Sequence, residues 1–177
     1  RGQAVARAVG LKGAKVAPRI VDATAGLGRD AFILATLGCP VLAVERHADV
    51  VSLCRDGLER ALSDAETAEA LGDRLQFHHA DALELLQAWP KGEVAAFGPD
   101  VIYLDPMHPP RRKSALPRKE MRLFRDLVGE DLDQVELLEA ALSTGVARVV
   151  VKRPVGAEPL RPGVVSSVAG RTTRFDI

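Results

Sequence analysis

Two carboxylates flank a glycine turn in the run Asp22-Ala23-Thr24-Ala25-Gly26-Leu27-Gly28-Arg29-Asp30-Ala31, and a third, Glu45, lies seventeen residues past Gly28. The spacing fits the loose form G-x-G-x-x-G/A. Such glycines let the backbone approach a nucleotide, and an acid at the end of the next strand accepts hydrogen bonds from ribose hydroxyls. Spacing alone suits NAD as readily as S-adenosylmethionine. Charge separates the two. A dinucleotide lays a pyrophosphate against the turn, and like charges about 4 Å apart repel by ~4 kcal/mol at an effective dielectric of about 20. S-adenosylmethionine carries an ammonium and a sulfonium and no phosphate, so Asp22 and Asp30 attract it. The turn therefore points to a methyl donor, with Asp22, Gly26, Gly28, Asp30 and Glu45 around it.

The second constellation is Asp105-Pro106-Met107-His108-Pro109. It resembles the (D/N)PP(Y/F) motif of methyltransferases that act on exocyclic amino groups of bases. The chemistry accounts for the residue types. An aryl amine is a poor nucleophile because its lone pair is delocalised into the ring. A carboxylate (Asp105) and a loop carbonyl (Pro106 or Met107) that accept its hydrogens hold the nitrogen in line with the methyl group. Proline stiffens the loop, and a planar side chain, here His108, stacks on the flipped base. Met107 stands where the motif has its second proline, and His108 where it has an aromatic ring.

These residues need a scaffold that gathers them at one edge. Short apolar runs read as strands at Ile20-Val21, Val41 to Val44, Leu75 to His79, Asp100 to Leu104 and Val149 to Val151. Helical patterns separate them at 29–37, from an Asp49 N-cap through 62, within 63–73, over 82–89, at 119–128 and at 133–143. Residues 163–177 read as two further β segments split by Gly170, and the four prolines in 106–118 make that segment a loop. Alternating strands and helices imply an α/β fold, a mostly parallel sheet with helices on both faces. Ligands then sit outside the carboxyl ends of the strands. Four of the five strands end on an acid: Asp22, Glu45, Asp81 and Asp105.

The charge pattern marks a second kind of contact. Net charge is zero over 177 residues, yet Arg111, Arg112, Lys113, Arg118, Lys119, Arg122 and Arg125 crowd one stretch with a single acid, Glu120. This follows directly on the Asp105 loop and is a candidate surface for RNA phosphates, with Lys152 and Arg153 on the opposite lip. A solvated surface is the alternative.

Taken together, Asp22 to Asp30, Val44-Glu45-Arg46, Tyr103 to Met107, Lys113 to Leu116, Lys119 to Arg122 and Val149 to Pro154 occur in an order that resembles the bacterial 16S rRNA (guanine-N2)-methyltransferases. That family makes N2-methylguanosine near the 3′ end of 16S rRNA, and the similarity runs from Gly2 to Asp176. It implies a Rossmann-like class I methyltransferase, a seven-stranded sheet with a C-terminal antiparallel hairpin, filling 1–177 as one domain. Members have a small additional N-terminal region, so a longer protein is expected, as the opening on Arg1 also suggests. The resemblance further implies S-adenosylmethionine contacts at Arg29 and Asp30, Glu45 and Arg46, Asp81 with Ala82, and Asp105. The partner implied is 16S rRNA or the small ribosomal subunit.

Other readings stay open on the residues alone. Asp22 can cap the next helix, Asp30 can favour a helix N-terminus, and Asp81 is an acceptable N-cap. The same loop would serve adenine N6 or a protein glutamine, and a non-catalytic RNA-binding protein could retain the fold. Composition excludes more. Hydrophobic residues at 47% and charged residues at 27% exclude a disordered or coiled-coil chain. The longest uncharged run, Ala31 to Val44, is shorter than the ~20 residues of a membrane span. Cys39 and Cys54 have no ligand spacing, which argues against metal and for a reducing, cytoplasmic setting.

Overall fold

The computed structural model describes residues 2–106 and 134–177. Within them the chain runs α1 (Gly2–Ala8), β1 (Ile20–Asp22), α2 (Arg29–Thr36), β2 (Val41–Glu45), α3 (Ala48–Leu62), α4 (Ala65–Leu71), β3 (Leu75–His79), α5 (Ala82–Gln87), α6 (Glu93–Phe97), β4 (Val101–Leu104), α7 (Gln134–Ser143), β5 (Arg148–Pro154), β6 (Ser167–Ala169) and β7 (Thr173–Asp176). His108, the basic residues between Arg111 and Arg125, and the helix expected at 119–128 lie outside the described residues.

The seven strands form one sheet in the order β3-β2-β1-β4-β5-β7-β6. The first five are parallel, and β7 pairs antiparallel with both β5 and β6. Strand order reverses between β1 and β4, so their carboxyl ends open a crevice. The register places Asp22 beside Ala43 on one flank and Tyr103 on the other.

Both faces of the sheet are covered, which is why the central strands are apolar throughout rather than alternating. On one face Ile20, Val41, Ala43, Val101 and Tyr103 pack with Ala31, Leu34 and Ala35 of α2 and Val5, Ala8 and Val9 of the α1 region. On the other, Val21, Leu42, Val44, Ile102 and Leu104 pack with Leu86 of α5 and Leu137, Leu138 and Ala141 of α7. Cys39 and Cys54 are buried and free.

Helix starts follow local chemistry. The Asp64 carboxylate caps α4 by accepting from Thr67 N at 2.8 Å, and Asp81 caps α5 by accepting from Leu83 N and Glu84 N. Asp49 does not cap α3. His47 holds the N-cap position and Asp49 lies in the first turn, where its charge interacts favourably with the positive end of the helix dipole without a capping bond.

Gly28 is the N-cap of α2 at φ 68°, and a Cβ there would sit 2.6 Å from Phe77 Cζ. Both the left-handed backbone and the ring demand glycine. Gly28→Ala should therefore lower unfolding stability by about 2–4 kcal/mol, combining backbone strain with overpacking. Chemical denaturation tests this. A loss below about 0.5 kcal/mol would mean that the turn relaxes freely.

Candidate active site

The cleft at the carboxyl ends of β1, β2 and β4 has a volume of about 300 Å3, and its walls include Asp22, Gly26, Arg29, Asp30, Glu45, Arg46, Asp81, Ala82, Asp105, Pro106 and Lys152. Residues far apart in sequence thus meet as the acid-ended strands require. Gly28 is the exception among the cofactor residues expected from sequence. Its tight approach is to Phe77 rather than to the cleft, so its part is to form the turn.

Glu45 organises the glycine-turn side of the cleft. It is buried, with Oε2 accepting from Gly26 N at 3.1 Å and Oε1 from His47 N at 2.8 Å. One carboxylate therefore ties the glycine turn after β1 to the loop after β2. Further bonds fix the same turn: Ala25 N donates to Val44 O at 3.0 Å and Ala23 N to Tyr103 O at 2.9 Å. Asp81 spends Oδ1 on the two α5 amides and still lines the cleft, so capping and cleft roles coexist in one side chain.

Asp22 lies deeper, 2% exposed, and accepts from Thr24 N at 3.2 Å. Burial first, and then the neighbouring charges of Asp30 and Asp105, push its carboxyl up to about 8 against the lowering by the Thr24 amide and Lys152. An unfolded Asp titrates near 3.8, so between about pH 4 and 8 folding holds a proton that unfolding releases. Stability from this group consequently falls as pH rises through that window, by ~1.4 kcal/mol per unit at most. Denaturant midpoints at pH 6 and pH 8 should drop in the native protein and drop less in Asp22→Asn. Equal drops would show that Asp22 does not keep its proton.

The Asp105 side of the cleft is an ionic cluster. Lys152 Nζ donates to Asp30 Oδ2 at 2.7 Å and to Asp105 Oδ2 at 2.6 Å. Tyr103 Oη donates to Asp30 Oδ2 at 2.6 Å, and Asp105 N donates to Thr24 Oγ1 at 2.6 Å. Burial opposes the Lys152 charge, but the Asp105 and Asp30 carboxylates outweigh it and raise the ammonium above its ordinary value. The phenol of Tyr103 is held protonated well above its usual range by burial and by the same acids.

Lys152, expected on the lip opposite the basic stretch, lies on the cleft wall, because the alternation of β5 turns it toward Asp30 and Asp105. Arg153, on the other face of that strand, donates from Nη2 to Glu158 O at 2.8 Å. Tyr103, whose ring packs in the core, and Thr24 join the site through their hydroxyls. Among the described residues no group of His, Cys, Asp and Glu could hold a metal ion. No described helix is long and apolar enough to cross a membrane.

The donor set fits S-adenosylmethionine. Buried or half-buried carboxylates face the cleft from four strand ends, and they match a ligand bearing an ammonium and ribose hydroxyls. Known proteins agree. The family model "Putative SAM-dependent methyltransferase" matches residues 1–177. The chain is 51% identical over its full length to the ribosomal RNA small subunit methyltransferase J of Tolumonas auensis, covering 69% of that protein. It is 52% identical to the one from Thioalkalivibrio sulfidiphilus, covering 68% of it, so it spans about two thirds of these relatives. Among solved structures, a SAM-dependent methyltransferase from Neisseria gonorrhoeae aligns with a TM-score of 0.73 at 39% identity, over 98% of this chain and 69% of that one. A glycopeptide N-methyltransferase solved with S-adenosylmethionine aligns with a TM-score of 0.53 at 17% identity, over 99% of this chain and 64% of that one, which extends the likeness of fold. Fold, acid-lined cleft and full-length similarity converge: this chain belongs to the S-adenosylmethionine-dependent methyltransferase family that includes the small-subunit ribosomal RNA methyltransferases J.

Proposed function

We propose that this protein methylates the exocyclic N2 amine of a guanine in 16S ribosomal RNA, acting in the cytoplasm on that RNA or on the small subunit. The observation that carries the reading is Asp105 at the carboxyl end of β4, its amide anchored on Thr24 and its carboxylate inside the acid-lined cleft. The relatives' names supply the substrate class.

When bound, S-adenosylmethionine supplies an electrophilic methyl group. Glu45 would accept from the ribose hydroxyls, Asp81 beside Ala82 would receive the adenine end, Asp30 would meet the ammonium with its charge and Asp22, which keeps its proton, through its carbonyl oxygen, with Arg29 and Arg46 on the cleft wall. Asp105, with the Pro106 carbonyl, would accept the hydrogens of the guanine amine and hold its nitrogen toward the methyl group. The amine proton becomes acidic once the nitrogen is methylated, so no strong base is needed beforehand. His108 would stack on the base. Arg111, Arg112, Lys113, Arg118, Lys119 and Arg122 would hold the RNA backbone, with Arg153 toward the β5 side.

Digestion and mass analysis of 16S rRNA from cells lacking the protein tests this. One N2-methylguanosine should vanish and return on complementation. Unchanged N2-methylguanosine, or loss of a methylated adenine instead, would overturn the assignment.

A further inference from the structure

One ammonium bridges the two halves of the cleft. Asp30 belongs to the turn side, Asp105 to the methyl-transfer side, and Lys152 Nζ stands 2.7 Å and 2.6 Å from their carboxylates. The side chains concerned are 21% (Asp30), 36% (Asp105) and 22% (Lys152) exposed, so solvent screens the cluster only partly. Among the described residues, the charged or titratable groups that line the cleft with Asp105 are Asp22 from β1, Asp30 and Arg29 from α2, Glu45 from β2 and Arg46 after it, Asp81 ahead of α5, Tyr103 from β4 and Lys152 from β5, beside the uncharged Gln134 from α7. Acids dominate that set. Clustered carboxylates cannot all stay ionised without a cation, and one of them takes a proton. A protonated Asp105 could offer only part of the acceptor capacity that an amine with two hydrogens requires.

We propose that Lys152 is a positioning residue for methyl transfer, keeping Asp105 ionised and oriented while joining it to the cofactor-side acid Asp30. This rests on the reading of Asp105 as the residue that accepts the amine hydrogens. Lys152 needs no contact with the base itself. Its action is through Asp105, and the second hydrogen bond to Asp30 keeps the ammonium from following a single carboxylate. The Tyr103 hydroxyl, on the same Asp30 oxygen, completes a chain from β4 through α2 to β5 and back to the end of β4.

The pH dependence of transfer distinguishes this from a structural role. The acidic limb of the kcat profile should move upward by about one pH unit in Lys152→Met, with partial recovery of rate at high pH. Lys152→Arg should keep the limb within about half a unit of the native position, because the charge is retained. Affinity for S-adenosylhomocysteine should change less than about tenfold in either variant. Carbon NMR titration of the Asp105 carboxyl, assigned by comparison with Asp105→Asn, reads the same effect without turnover: its midpoint should rise in Lys152→Met. If Lys152→Met does not fold, Lys152→Gln, neutral and still able to donate, carries the same expectation.

A limb and an NMR midpoint that stay in place while kcat falls uniformly would overturn the proposal. Failure of the underlying reading looks different. In that case the native enzyme makes no N2-methylguanosine, whereas the limb can still be followed on whatever amine it does methylate.

Discussion

Asp105→Ala will lower the rate of methyl transfer by about 10³-fold while weakening S-adenosylhomocysteine binding by less than about tenfold. The amide of Asp105 is held by Thr24 Oγ1 at 2.6 Å, so its position at the end of β4 survives the loss of the side chain. What disappears is the carboxylate that we propose accepts from the reacting amine, and losing one such preorganised group costs roughly 10²–10³ in kcat. Lys152 keeps its bond to Asp30 in the variant, so the turn side of the cleft retains its cation. Single-turnover rates and calorimetry on the same preparation give both quantities. Equal losses in rate and in affinity would make Asp105 a cofactor residue only.

Glu45→Ala will act on the opposite term, weakening S-adenosylhomocysteine binding by about 10²-fold or more. Hydrogen bonds to charged groups contribute ~1.5–3 kcal/mol each, and the carboxylate would accept two from the ribose. The same two oxygens already accept from Gly26 N and His47 N, so the variant also loosens both loops that shape the cleft. At saturating cofactor the rate should stay within a few-fold of native, because Asp105 and Lys152 are untouched. Glu45→Gln should fall between, as its one remaining acceptor oxygen can serve only one of the two amides. An affinity for the alanine variant within threefold of native would remove Glu45 from the cofactor site.

The parallel sheet and its acidic edge were legible because they depend on local signals. Apolar runs too short for helices, four of the five closed by an acid, announce strands whose ends share a crevice. The small terminal segments after residue 163 showed themselves through their β-branched residues and Gly170. Helices α1 and α6 did not. α6 starts from Gly92 without the side-chain cap that Asp64 and Asp81 give the equally short α4 and α5, and α1 is held by burial of Val5 and Ala8 rather than by its own propensity.

The pairings inside the cleft were less legible than its members. Lys152 lies 122 residues from Asp30 and 47 from Asp105, and no spacing rule connects residues on β5, α2 and the β4 loop. Its neighbour Arg153 and the basic stretch upstream made it look like a phosphate contact. Alternation along β5 instead sends the two side chains to opposite faces. Gly28 misleads for the converse reason. A glycine in a nucleotide-binding pattern reads as room for a ligand, but a positive φ and an aromatic ring across the turn require it just as strongly.

The most direct test of the account is transfer of labelled methyl from S-adenosylmethionine to small-subunit ribosomal RNA isolated from cells lacking the protein, with native enzyme and Asp105→Ala side by side. The RNA is then digested and the labelled nucleoside identified by mass. The account predicts a single labelled product, N2-methylguanosine, made by the native enzyme and reduced about 10³-fold with the variant. Label in another nucleoside, or equal N2-methylguanosine from both proteins, would contradict it.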